Sequence, residues 1–263
     1  MKKLRYSLFI IASAWVIASC TKVINVDLKD ADKKYVIEGN ITNLPGPYIV
    51  KVTQTKSFEG NNTFPPVSGA VVTISDNAGH SEILQQAADG TYKTSTIQGV
   101  QGVTYNLKVV VGGQTFTSTS TMPYRVPLDS VYVTRLAYFG DDVNALVPAF
   151  TDPVGIKNYY FFNVYRNGIM DQSLYVQDDE FSDGKYNTRP LFPPDKDSAV
   201  VKGDTAYIEM QCTDASVNKY WTSLEQVTSG NSATPTNPVT NITGGALGYF
   251  SAHTTQRKGL RVK

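Results

Sequence analysis

The sequence predicts an all-β protein built of two sandwich-like domains, of immunoglobulin or transthyretin type, the second carrying one helix near 214–228. Three observations predict it. Short runs with apolar residues at alternate positions recur from Tyr35 to Thr213. Turn-forming Gly, Asn, Asp and Pro separate these runs at the spacing of sandwich strands. One convincing stretch repeats its apolar residues with helical period.

In chain order, Lys2, Lys3 and Arg5 precede a mostly apolar stretch from Leu8 to Ser19. That stretch falls short of the roughly 20 residues needed to span hydrocarbon as a helix, so residues 1–19 read as a signal peptide. The run Ile17-Ala18-Ser19-Cys20 has the form of a bacterial lipobox, which makes Cys20 the expected lipidation site and new N-terminus. Residues 20–34, rich in Lys and Asp, then form a tether. Acyl chains on Cys20 would hold a folded body to a membrane.

Residues 35–122 are read as the first sandwich, with strands at 35–42, 47–54, 70–75, 81–86, 91–97, 103–111 and 114–121. The run 103–111 is clearest, because Val103, Tyr105, Leu107, Val109 and Val111 share one face. Asp89-Gly90 and Gly112-Gly113 mark tight turns. Met122-Pro123 and Val126-Pro127 interrupt the ladder. A second, mostly β domain is expected over 126–263, with strands at 129–139, 145–151, 157–166, 173–177, 198–202 and 205–213 and a last apolar patch at 246–252. The helix rests on Val217, Tyr220, Trp221, Leu224 and Val227, with Asp214 placed to cap it.

Charge narrows the function classes. There are 24 Lys plus Arg against 23 Asp plus Glu, and no basic run, so no nucleic-acid footprint is present. With Cys20 taken by lipidation, the two His and the one remaining thiol, Cys212, cannot complete a four-ligand Cys/His zinc cluster. No Gly-x-Ser-x-Gly elbow occurs. His80, in a turn, and His253, after the last apolar patch, read as solvated loop residues, and Cys212 as a buried, inert thiol. Asp178, Asp179, Glu180 and Asp183 invite a calcium reading, but the spacing around Gly184 fails a helix–loop–helix calcium loop, and solvated acid is the expectation. No catalytic residue, metal ligand or cofactor site is therefore assigned. The aromatics are the remaining lead: 16 Tyr, 11 Phe and two Trp. Of those in or near loops, Phe58, Phe64, Tyr138, Phe139 and Tyr186 are the candidate ligand or partner contacts, with Tyr124 and Phe192 also on loops.

The segments Val36-Ile37-Glu38-Gly39, Val67-Ser68-Gly69-Ala70-Val71-Val72, Gly102-Val103-Thr104-Tyr105 and Thr121-Met122-Pro123 occur in order before Asn241-Ile242-Thr243-Gly244-Gly245-Ala246-Leu247-Gly248-Tyr249-Phe250. In this the chain resembles the Bacteroidota lipoproteins of domain-of-unknown-function family 4249, and residues 67–111 are similar to carboxypeptidase-regulatory-like sandwiches. The resemblance implies an outer-membrane lipoprotein associated with TonB-dependent nutrient transport, and it brings no catalytic residues. The expectation is a non-enzymatic binding or accessory protein, anchored through Cys20, with a TonB-dependent transporter as partner. The alternatives are a surface hydrolase using carboxylates of the 178–197 excursion, and a purely structural or adhesion module.

Overall fold

The computed structural model describes residues 32–56, 63–138, 141–229 and 236–263. Its organising element is the last strand. β1 (Tyr35–Thr42) turns its apolar Ile37 and Ile41 inward and pairs with β2 (Ile49–Gln54) in antiparallel register, Ile37 opposite Val52. The other side of β1 is taken by β16 (Leu247–Arg261) in parallel, Val36 opposite Leu247 through Thr42 opposite His253. Gly248 makes this approach possible. Its φ is +94°, and a Cβ there would stand 2.1 Å from the Ile37 carbonyl oxygen, so only glycine fits.

β16 then continues beyond β1 to pair antiparallel with β15 (Thr205–Thr213), which pairs with β11 (Tyr159–Arg166). With β6 (Thr91–Lys93) and β5 (Gln85–Ala88) beyond β2, and β12 (Ile169–Met170) and β13 (Tyr175–Asp178) both on the outer side of β11, this is one nine-stranded sheet. Two smaller sheets cover successive parts of it. A four-stranded sheet of β4 (Ser81–Ile83), β3 (Val71–Asp76), β7 (Thr104–Val111) and β8 (Gln114–Thr121) encloses a core with Ile37, Ile74, Tyr92, Leu107, Phe116 and Phe250. A three-stranded sheet of β9 (Ser130–Tyr138), β10 (Asp141–Thr151) and β14 (Tyr186–Asn187) encloses another with Leu128, Phe150, Tyr160, Phe162, Met210 and Cys212. The all-β, sandwich-like expectation thus holds, with one sheet common to both cores. Lys33–Lys263 forms one compact unit, and β16 spans its two cores, sending Phe250 and Ala252 into the first and packing Leu260 against the second.

The single described helix, α1 (Ala215–Thr228), begins where expected: the Asp214 carboxylate accepts the Val217 N–H at 2.9 Å. Its aromatic face lies on the sheet, with Trp221 stacked on Phe161 at 4.5 Å between centroids and Tyr220 against Tyr249 at 4.9 Å.

Four expectations need correction. The run 81–86 divides at buried Leu84, whose N–H bonds the Val72 carbonyl, so β4 and β5 belong to different sheets. Residues 198–202 form no strand, although Ala199 and Val200 are buried. The patch 246–252 is the front of a 15-residue strand, whose polar continuation from His253 to Gly259 hid its length. His253 consequently lies inside that strand and is buried rather than solvated, its Nδ1 sharing a 2.9 Å hydrogen bond with the Ser251 hydroxyl.

Candidate functional site

An open groove of about 1200 Å3 lies beside β12 and β13. Three pieces of backbone build it. The floor is the outer edge of the nine-stranded sheet, residues 169–177. One wall is the C-terminal turn of α1, from Leu224 to Ser229, held over the sheet by the aromatic stack behind it. The other wall is the segment 189–198, tied down where Leu191 N–H bonds the Leu146 carbonyl at 2.9 Å and where Ser198 N–H bonds Asp195 at 2.7 Å.

The groove is lined by apolar, amide and charged groups together. Several polar groups are already engaged. Arg166 Nε donates to Asp204 Oδ2 at 2.7 Å and its Nη1 to the Asp197 carbonyl at 2.7 Å. The Tyr175 hydroxyl donates to Asp171 Oδ2 at 2.8 Å, and burial with that carboxylate pushes its ionisation far above the usual range. Burial also raises Glu225 above the ordinary carboxylate value, against the pull of Arg189 across the groove. Ile169, Met170 and Phe192 are exposed. A concave surface with apolar patches and a few fixed polar groups has the chemistry of a binding site.

A second cluster lies at the turn after β10. Oxygens of Asp152, Asp179 and Asp183 come within 4.8 Å of one another. The expectation of solvated acid is wrong for Asp179, whose side chain is 2% exposed; it fails because the loop folds back under Lys157. Asp179 accepts the Asn158 N–H at 2.7 Å and pairs with the Lys157 ammonium. Asp183 accepts the Gly155 N–H at 2.7 Å, and Asp152 accepts the Tyr160 hydroxyl. Burial, with repulsion from Asp179 and Asp183, raises the Asp152 carboxyl. Three such carboxylates are the oxygen set a hard cation takes; in this loop a lysine ammonium supplies the positive charge. Cys212, by contrast, is buried as expected, and burial pushes its thiol up.

Of the residues singled out from sequence, Phe64 is 54% exposed with the Lys56 ammonium 5.8 Å from its ring centre. Tyr186 is exposed on β14. Neither lines the groove. Cys20, Phe58, Phe139 and the side chain of Tyr138 lie outside the described residues. The groove gathers instead Arg189, Leu224, Glu225 and the edge residues 169–177, which no motif marks; Phe192, a loop aromatic in the sequence, is the one readable signal.

No curated protein matches the chain. The family model described as domain of unknown function 4249 matches residues 21–259, and that span is nearly the whole chain. The chain belongs to this domain-of-unknown-function family 4249.

Proposed function

We propose that the protein is a non-enzymatic binding protein, anchored in the outer membrane through acylated Cys20 and serving as an accessory of TonB-dependent nutrient uptake. The observation that carries the binding role is the groove: about 1200 Å3, open, and lined by exposed apolar side chains beside polar groups held in place by their neighbours. The lipobox and tether in the sequence support the anchor. The rival reading, hydrolysis by carboxylates of the 178–197 excursion, has Asp179 and Asp183 near Asp152, but each is bonded to a main-chain N–H, a lysine or a tyrosine, as in a loop latch.

Two measurements test the proposal. Cys20→Ala should shift the protein from the membrane to the soluble fraction; retention in the membrane contradicts the anchor. Gentle solubilisation of the outer membrane, with a tag at Lys263, should bring a stoichiometric transporter barrel with the wild type and lose it with Phe192→Ala/Leu224→Glu. Equal recovery with both contradicts a role for the groove.

A further inference from the structure

The floor of the groove is a free sheet edge, and its hydrogen-bonding direction can be read residue by residue. Asp171 N–H donates to the Val164 carbonyl at 2.8 Å, whereas Asn167 N–H donates to the Thr205 carbonyl at 2.7 Å. Main-chain groups alternate along a strand, so even positions of β11 bond toward β12 and β13, and odd positions toward β15. Tyr160 opposite Gln177 and Phe162 opposite Tyr175 are therefore the hydrogen-bonded pairs. It follows that the N–H and C=O of Val176 point away from β11, into the groove. Neither has a bond partner among the described residues.

The two ends of the nine-stranded sheet differ in how they treat this hazard. At the far end, β5 exposes Gln85, Gln86, Ala87 and Ala88 and breaks register between Gln86 and Ala88, a bulge that discourages further pairing. At the groove end, β13 carries its one charge at its last residue, Asp178, while Tyr175, Val176 and Gln177 before it have no charge, no proline and no register break. An unguarded edge recessed in a groove is shaped for strand addition.

We infer that this edge takes an extended peptide segment of a partner protein, added as a further antiparallel or parallel strand beside β13. The inference rests on the groove being the binding site proposed above. The walls define the peptide's character. A strand laid along β13 would turn alternate side chains to opposite faces. One set would meet Leu224 of α1 on the face where Trp221 covers Phe161, and the other would meet Leu191 and Phe192. The segment is therefore apolar at the positions that face Leu224 and Phe192, and polar where it runs past Arg189, Glu225 and Asp195.

The test uses the full chain in detergent and a fluorescein-labelled octapeptide, Lys-Thr-Val-Tyr-Val-Val-Thr-Lys, followed by fluorescence anisotropy. Val176→Pro removes the outward N–H and exchanges one apolar side chain for another, a substitution that edge strands tolerate, and a melting curve checks that it folds. Saturable binding is expected, weakened about tenfold by Val176→Pro and by N-methylation of alternate peptide amides, the loss expected for one or two hydrogen bonds. No saturable binding of the octapeptide overturns strand addition. Binding lost in Phe192→Ala/Leu224→Glu but unchanged in Val176→Pro and with the methylated peptide also overturns it, while leaving the groove as a side-chain binding site. Binding unchanged in all variants overturns both readings. Self-association without peptide, abolished by Val176→Pro in sedimentation velocity, would assign the edge to a second copy and overturn the peptide.

Discussion

The two cores are enclosed by the same central sheet but are finished differently. In the first, the buried polar residues are hydroxyl-bearing, Thr94, Ser118 and Ser120, with one carboxylate side chain, Asp76, held by His80. In the second half of the chain they include Asp152, Asp179, Asp204, Glu209 and His253. Burying charge is costly unless each group is paired, and here each carboxylate has its partner: Asp204 with Arg166, Glu209 with Arg257, Asp179 with Lys157 and Asp152 with the Tyr160 hydroxyl. The first half is assembled from tight hairpins around an apolar core. The second holds long loops in place by polar pairing, and those loops form the groove. Regular packing makes a platform; paired charge makes a shaped surface.

The largest expected effect lies where the halves join. Gly248→Ala would place a Cβ on the Ile37 carbonyl at a positive φ and should cost at least ~4 kcal/mol or prevent folding. Gly245→Ala, at φ +90° but with open space around it, should cost only ~1 kcal/mol. Urea unfolding of the two variants separates steric closure of the β1–β16 pair from backbone conformation alone. Comparable losses would mean that this parallel contact is not what fixes β16.

Next comes pH. Burial depresses the His253 imidazole from 6.5 to about 4, with Glu209 and Asp214 pulling the other way. Between those values the unfolded chain binds more protons, so stability is full above pH 6.5 and is lost as pH falls toward 4, by about 3 kcal/mol. His253→Gln should flatten this window, read as the urea midpoint against pH. The first half has its own, lower window. Glu82 is buried only in part, and burial is outweighed by hydrogen bonds from the Ser95 hydroxyl and the N–H groups of Ile97, Thr96 and Ser95, which hold it near 2. Stability from Glu82 is present above pH 4.5 and lost as pH falls toward 2. Glu82→Gln should cost about 2 kcal/mol at pH 7 after allowing for solvent screening, with little change between pH 6.5 and 4.

The smallest effect concerns the strap between halves. Asp214 caps α1 through Val217 and also accepts the Ser120 hydroxyl at 2.5 Å and the Thr121 N–H at 3.0 Å on β8. Asp214→Ala should cost ~1–2 kcal/mol, whereas Asp214→Ser, which keeps the cap but cannot reach both partners, should recover part of it. Full recovery by serine would show that only the helix cap counts.

Much of the first sandwich was legible because its strands have one buried face. In β7 and β8 the burial alternates residue by residue, and period two in sequence reports it. The second half was harder. β11 is covered on both faces, so Tyr159–Phe162 shows no alternation. The strand β16 is polar beyond Ala252 because its neighbours supply hydrogen bonds and ion pairs, such as Arg257 with Glu209, that periodicity does not record. Leu84 shows a third obstacle: one strand-like run, 81–86, served two sheets, a choice made by tertiary pairing. The candidate site was the least legible part. Arg189, Phe192 and Leu224 come together only through the docking of α1 on Phe161 and the bridge from Leu191 to Leu146, both long-range.

The central claim is that the second half carries the binding surface, at the groove. The most direct measurement is site-specific photo-crosslinking in intact outer membranes, with p-benzoylphenylalanine replacing Phe192 in the groove or Ile83, 67% exposed on the first half. A discrete crosslinked partner from position 192 and none from position 83 is the predicted result. Crosslinks from position 83 alone would place the partner on the regular sandwich and contradict the account.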